Sequence, residues 1–199
     1  MKKPISSTFL ALGDSYTIGE GVTKVQTWPH ILAKKLGWEP PQVIATTGWK
    51  TYELIEAIEA AHLSPSYDWI SLLIGVNNQY RELPFKVYQD DLHRLANMIR
   101  PLVKDAGNIF LVSIPDYSVT PFVEDTDRER ISSDLQTYND YKKEFAQQQG
   151  FQFCYITDIS QQAAGNPGMI GYDKLHPSAE QYQMWVSRII QSCDFHAHS

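Results

Sequence analysis

Short apolar runs alternate with longer segments of helical periodicity, and this alternation restricts the possible folds more than any other feature of the chain. Most of the runs are almost continuously apolar, which is typical of strands that are covered on both faces. The predicted strands are residues 8–12, 43–46, 69–74, 109–114 and 151–156. Strands that alternate with helices favour a parallel sheet, and right-handed crossovers place helices on both of its faces. We therefore expect an α/β fold, a three-layer α/β/α sandwich around a five-stranded parallel sheet.

The segments between and after these strands carry apolar residues at helical spacing. The stripes are Trp28, Ile31, Leu32 and Leu36; Leu54, Ile55 and Ile58; Tyr88, Leu92, Leu95 and Ile99; Ile131, Leu135, Tyr138 and Phe145; and Tyr182, Trp185, Ile189 and Ile190. A chain of 199 residues suits one compact domain. We predict a single domain over residues 1–199, with frayed ends at residues 1–6 and 194–199.

Charge and cysteine usage exclude several classes of function. The net charge of −6 argues against nucleic acid as a partner, because an acidic surface repels phosphates. Cys154 and Cys193 make neither a disulfide framework nor a metal-ligand spacing, so we expect buried free thiols and no metal site.

The chain also lacks the apolar segments that mark membrane or export signals. No apolar run approaches the ~20 residues that span a bilayer, so we expect no stable membrane insertion. Met1-Lys2-Lys3-Pro4 resembles the start of a signal peptide, but the apolar run at residues 9–12 is shorter than the ~7–15 residues required. A cytoplasmic location is therefore expected.

Polar residues and glycines follow the predicted strands, where ligands bind in open α/β sheets. The segments at this edge are Gly13-Asp14-Ser15-Tyr16, Gly48, Gly75-Val76-Asn77-Asn78, Pro115-Asp116-Tyr117 and, before the last helix, Asp173-Lys174-Leu175-His176-Pro177. Together they supply the parts needed for acyl transfer through a serine nucleophile.

Each of these parts has a chemical reason. A serine hydroxyl needs a neighbouring base, and histidine is the side chain best suited to that role near neutral pH. Asp173 lies three residues before His176, so its carboxylate can orient the imidazole towards Ser15. The backbone N–H groups of Ser15 and Gly48 and the side-chain amide of Asn77 can stabilise the resulting oxyanion. Asp14 is expected to brace its own loop.

The chain resembles the SGNH/GDSL hydrolase family in four sequence blocks that occur in the family's order. The blocks are Gly13-Asp14-Ser15, Gly48, Gly75-x-Asn77 and Asp173-x-x-His176, and the resemblance extends from about Phe9 to the last helix. It implies a flavodoxin-like topology, hydrolysis of esters or thioesters, and no cofactor.

The resemblance also assigns roles to residues of the four blocks. It implies that Ser15, Asp173 and His176 form the catalytic triad, and that Ser15, Gly48 and Asn77 form the oxyanion hole. The third block usually reads G-x-N-D, whereas Asn78 stands here in place of the aspartate. An amide can replace some of a carboxylate's hydrogen bonds but not its charge, and the donor Asn77 itself is present.

The expected partner is a small-molecule ester, and the residues beside the functional loops are the candidates for contacting it. These are Tyr16, Trp49, Asn78 and Tyr117, although aromatic residues near strand ends also pack as core. A relatively open cleft suits short acyl chains or an acetyl group on a larger alcohol, sugars included.

Two alternatives remain open at this point, and the oligomeric state is not fixed by the sequence. The first is a thioesterase or lysophospholipase-type acylhydrolase. The second, from another class, is a non-catalytic flavin- or phosphate-binding module that uses the glycine-rich loop at Gly13, Gly19 and Gly21.

Overall fold

The computed structural model describes residues 7–65 and 67–195. Its centre is a parallel sheet of five strands in the order β2-β1-β3-β4-β5. The strands are β1 (Phe9–Gly13), β2 (Gln42–Ala45), β3 (Trp69–Leu73), β4 (Ile109–Val112) and β5 (Gln152–Cys154). All five predicted strands are present, with ends that differ by at most two residues.

The helices fill the connections between the strands and follow the last of them. They are α1 (Ser15–Ile18), α2 (Trp28–Leu36), α3 (Thr51–Ala60), α4 (Val76–Tyr80), α5 (Phe85–Ile99), α6 (Arg128–Gln149), α7 (Thr157–Gln161) and α8 (Ala179–Ser192). Each predicted stripe lies on one of the long helices. The short helices α1, α4 and α7 were missed, because four or five residues are too few to show a periodic pattern.

Two groups of helices cover the two faces of the sheet. Helix α2 packs on α8, whereas α5 packs on both α3 and α6. With right-handed crossovers, the strand order places α2 and α8 on one face and α3, α5 and α6 on the other. The predicted three-layer α/β/α sandwich is therefore confirmed.

The core lies on both sides of the sheet and contains large aromatic side chains such as Trp28, Trp185 and Tyr88, all fully buried. Cys154 and Cys193 are buried free thiols, as predicted. Among the described residues, no helix combines the length and the apolar character that crossing a membrane would need.

The prediction for the two chain ends can be compared with the structure only in part. Residues 1–6 and 196–199 lie outside the described residues. The frayed segment was expected to begin at Asp194, but the ring of Phe195 packs against those of Trp69 and Trp38, with centroid distances of 4.9 and 5.3 Å. Packing of this ring against two tryptophans favours an ordered Phe195, and the fraying of the chain ends stays a prediction.

Candidate active site

Ser15 lies two residues after the end of β1 and is the first residue of α1, at the carboxyl edge of the sheet. Asp14 caps this short helix, since its Oδ1 accepts a hydrogen bond from the Tyr16 N–H at 3.1 Å. The expected bracing of the loop by Asp14 is thus confirmed. As the first helical residue, Ser15 presents a backbone N–H with no acceptor within the helix.

Asp173 and His176 are joined within the tight loop that precedes α8. The distance between Asp173 Oδ2 and His176 Nδ1 is 2.6 Å, and Asp173 Oδ1 accepts hydrogen bonds from the N–H groups of Leu175 and His176. Burial alone would raise the pKa of Asp173, but these hydrogen bonds outweigh it and hold the pKa below its ordinary value. A carboxylate at Nδ1 favours the tautomer whose Nε2 is free to accept a proton.

One cleft of about 190 Å³ brings the N-terminal and C-terminal parts of the candidate site together. Ser15, Gly48, Asn77 and His176 all line it. Among the described residues, no hydrogen bond joins the Ser15 hydroxyl to His176. Such a bond is often long in a ligand-free enzyme and tightens when substrate binds.

Two of the predicted oxyanion donors, Gly48 and Asn77, are linked through the backbone. Asn77 Nδ2 donates a hydrogen bond of 2.9 Å to the carbonyl of Trp49, the residue after Gly48. An amide NH₂ has two protons, so this bond leaves the second available to a ligand. Gly48 has a φ of 84°, and a Cβ at this position would meet no atom within 4 Å, so the space beside its Cα is open.

The four predicted substrate contacts differ in their positions. Tyr16 and Tyr117 line the cleft. Trp49 is not among the described residues that line it, and its carbonyl instead holds Asn77. The prediction for Asn78 is wrong, because its side chain is fully buried and bonded to Thr51.

The opposite wall of the cleft contains residues that sequence reasoning did not assign to the site. Arg81 and Phe122 line the cleft beside Tyr80, whose ring centroid lies 6.0 Å from that of Phe122. Phe122 lies in a loop without a recognisable motif, so no local signal could have identified it. Its packing against Tyr80, at the end of α4, brings it to the cleft.

Asp14, the residue before Ser15, and Lys142 are a pair of buried titratable groups. Asp14 and Lys142 are both fully buried, and Lys142 Nζ donates hydrogen bonds of 3.0 Å to the carbonyls of Ile74 and Val112. Burial raises the pKa of Asp14 to about 7, although the charge of Lys142 opposes this. Burial likewise lowers the pKa of Lys142 to about 7, against the influence of Asp14. The sequence patterns did not single out Lys142.

A serine, a histidine–aspartate pair and three candidate oxyanion donors around one cleft at the carboxyl edge of a parallel α/β sheet are the arrangement of a serine hydrolase. The sequence model of the GDSL-like Lipase/Acylhydrolase family matches residues 11–184, so the chain belongs to this family. It is a hydrolase of carboxylic esters, and the alternative of a non-catalytic flavin- or phosphate-binding module is not supported. No curated protein matches the chain in sequence.

Solved structures share the fold at low sequence identity. TesA superposes with a TM-score of 0.72 at 17% identity, over 93% of this chain and 97% of its own. A lipolytic protein of the G-D-S-L family from Veillonella parvula gives a TM-score of 0.73 at 15% identity, over 92% and 96% of the two chains. The W215I variant of Axe2, an acetyl xylan esterase from Geobacillus stearothermophilus, gives 0.72 at 19% identity, over 100% of both.

Proposed function

We propose that the chain hydrolyses its ester through an acyl-enzyme on Ser15, with His176 as the general base and Asp173 as the group that orients it. The observation that carries this assignment is the 2.6 Å contact between Asp173 and His176 in a loop that lines the same cleft as Ser15. The N–H groups of Ser15 and Gly48 and the amide of Asn77 are the proposed oxyanion donors.

The reaction then follows from these positions. His176 Nε2 takes the proton of the Ser15 hydroxyl as its oxygen attacks the ester carbonyl, and the oxyanion forms against the three donors. The imidazolium, stabilised by Asp173, gives its proton to the departing alcohol, which leaves an acyl group on Ser15. Water activated by His176 attacks this acyl-enzyme and releases the acid.

We propose a short acyl group, above all acetyl, as the group transferred. The cleft volume of about 190 Å³ is below the ~300–1,000 Å³ of sites that enclose drug-sized ligands. Tyr80 and Phe122 are 45% and 47% exposed at the cleft, and half-exposed rings of this kind can stack on a sugar. Axe2, one of the structural neighbours, is an acetyl xylan esterase, and this likeness supports acetylated carbohydrates as candidate substrates.

We propose a small-molecule ester as the partner. A net charge of −6 argues against nucleic acid, because an acidic surface repels phosphates. Thioester and lysophospholipid substrates are the competing assignments. A panel of 4-nitrophenyl esters of increasing acyl length, run beside acetylated xylo-oligosaccharides and an acyl-CoA, separates them. Highest kcat/KM on acetyl esters supports the proposal, and preference for long acyl chains or for the thioester contradicts it.

Ser15→Ala tests the mechanism directly. We expect kcat on 4-nitrophenyl acetate to fall by ~10⁴–10⁶-fold, because the nucleophile is removed while the cleft is kept. A fluorophosphonate probe should label the wild type at residue 15 and fail to label this variant.

Ser133→Ala is the matched control, since Ser133 is an exposed serine on α6. Its activity and labelling should equal those of the wild type. Hydrolysis at the wild-type rate by the Ser15→Ala protein would show that another group is the nucleophile.

A further inference from the structure

The side-chain amide of Asn78 is fully buried and hydrogen-bonded at both ends. Its Oδ1 accepts from the Thr51 N–H at 3.0 Å, and its Nδ2 donates to Thr51 Oγ1 at 2.8 Å. Thr51 is the first residue of α3, so its N–H has no acceptor within that helix, and Asn78 supplies one. The start of α4, which carries Asn77, is thereby attached at two points to the start of α3.

The chain of hydrogen bonds continues from Thr51 to a carboxylate on another helix. Thr51 Oγ1 donates to Asp91 Oδ2 at 2.6 Å, and Asp91 lies on α5 with only 5% of its surface exposed. The other oxygen of Asp91 lies 3.6 Å from Arg94 Nη1. The negative charge of this network is therefore on α5 and not on residue 78.

The single proton of the Thr51 hydroxyl fixes the direction of every bond in this network. An ionised carboxylate only accepts, so the hydroxyl must donate to Asp91 and must itself accept from its other neighbour. The NH₂ group of Asn78 meets that requirement. An aspartate at position 78 would bring a second acceptor to an oxygen with no proton left to donate, and two buried carboxylates would then repel each other.

The network also holds two of the proposed oxyanion donors, Gly48 and Asn77, relative to each other. Asn78 binds Thr51, and Asn77 binds the carbonyl of Trp49. Both bonds attach the start of α4 to the segment that begins with Gly48. A shift of residue 78 would therefore move the Asn77 amide relative to the Gly48 N–H, and misplaced donors stabilise an oxyanion less well.

We propose that Asn78, Thr51 and Asp91 form a positioning network for the oxyanion hole, in which Asp91 on α5 supplies the carboxylate that the usual G-x-N-D motif places beside the asparagine. None of the three touches the reacting atoms, and they act through Asn77 and Gly48. This role rests on the proposed function, since the two donors matter to the rate only if Ser15 attacks an ester.

Restoring the family's aspartate is the most direct test. Asn78→Asp should lower kcat on 4-nitrophenyl acetate by ~10- to 100-fold with KM changed less than about threefold, because the donors act mainly in the transition state. Asp91→Asn should lower kcat by about three- to tenfold, because a neutral amide oxygen accepts the Thr51 proton more weakly than a carboxylate does. Rates are expressed per active site counted with a fluorophosphonate probe, so loss of folded protein does not lower them.

The double variant Asn78→Asp/Asp91→Asn should recover kcat to within about fivefold of the wild type, because the bonds can reverse. Asn at position 91 would donate to Thr51 Oγ1, whose proton then goes to the carboxylate at position 78. The control Asn78→Asp/Asp90→Asn removes a neighbouring charge from the exposed face of α5 and should not recover. Unchanged kcat in Asn78→Asp, or no recovery in the first double variant, would overturn the proposal.

A second pair of variants decides the matter if Asn78→Asp fails to fold. Thr51→Val keeps the shape but removes the hydroxyl and should lower kcat by ~10-fold, whereas Thr51→Ser should stay within about twofold. Equal kcat in these two variants would contradict the network. The proposed function fails on a different result, retained hydrolysis in Ser15→Ala.

Discussion

At the scale of the residue, the carboxyl group of Asp14, which precedes Ser15, both caps a helix and has a raised pKa. One carboxyl oxygen caps α1, whereas the other is buried with no hydrogen-bond partner among the described residues. Because burial raises the pKa of Asp14 from 3.8 to about 7, the folded protein holds the proton more tightly than the unfolded chain does. The stabilising contribution of this group is therefore complete below about pH 4, is lost as the pH rises to about 7, and is constant above.

The lowered pKa of Lys142 has the opposite sign and acts in another range. Its contribution is present above about pH 10 and is lost as the pH falls to about 7. Asp14 therefore dominates the pair's pH dependence below neutrality, and Lys142 dominates it above.

Asp14→Asn isolates the acidic part of this dependence, since an amide oxygen can still cap α1. We expect the free energy of unfolding of the wild type, relative to the variant, to fall by up to about 4 kcal/mol as the pH rises from about 4 to 7. Urea unfolding at several pH values between about 4 and 8 measures the difference. A difference that is the same at every pH would show that Asp14 does not titrate in this range.

At the scale of the element, the turn between β3 and α4 determines where Asn77 lies. Gly75 has a φ of 123°, a conformation that L side chains rarely adopt, and a Cβ there would lie 2.5 Å from Tyr88 Cε2 and 2.9 Å from Ile114 Cδ1. The glycine is required by backbone conformation and by close packing together. Gly48 shares the positive φ but has open space around it.

These two glycines make a matched comparison. Gly48→Ala should cost about 1 kcal/mol of stability from backbone strain alone, whereas Gly75→Ala should cost about 3 kcal/mol because overpacking adds to the strain. Gly75→Ala should also lower kcat by ~10-fold, since it displaces the turn that carries Asn77. Urea unfolding and steady-state kinetics provide both readouts. Equal losses in the free energy of unfolding of the two variants would show that close packing at Gly75 adds nothing to the backbone strain.

At the scale of the molecule, different groups of residues lie at the two ends of the parallel strands. The candidate site lies at the carboxyl edge of the sheet, where the strands end. An aromatic cluster of Phe195, Trp38 and Trp69 covers the opposite edge, where the strands begin. Trp69 is the first residue of β3, whereas Gly75 follows the end of that strand. A strand of this length separates the edges by roughly 15 Å, so packing at one edge should not alter donors at the other.

Phe195→Ala tests this separation. We expect a loss of about 2 kcal/mol in the free energy of unfolding, because a partly buried ring is removed from an aromatic cluster. The values of kcat and KM should equal those of the wild type at a temperature where the variant is fully folded. Unchanged stability would mean that Phe195 adds little to the folded state, and a changed kcat would mean that the two edges are coupled.

The sequence by itself determined the order of strands and helices. It also placed Ser15 after the first strand, and Asp173 and His176 together before the last helix. Continuous apolar runs, helical stripes and motif spacing are local properties, and each can be read without knowing what packs against it. The loop that joins Asp173 to His176 is equally local. These predictions therefore needed no tertiary information.

What only the tertiary structure decided depends on residues that are far apart in the chain. Asn78 was expected to contact the substrate, but it is buried and bonded to Thr51 on another helix, and Thr51 in turn bonds to Asp91 on a third. Lys142 reaches the carbonyls of Ile74 and Val112 in the same way. Whether a polar side chain is buried and hydrogen-bonded depends on groups from distant segments of the chain, and no local sequence pattern indicates which groups these are.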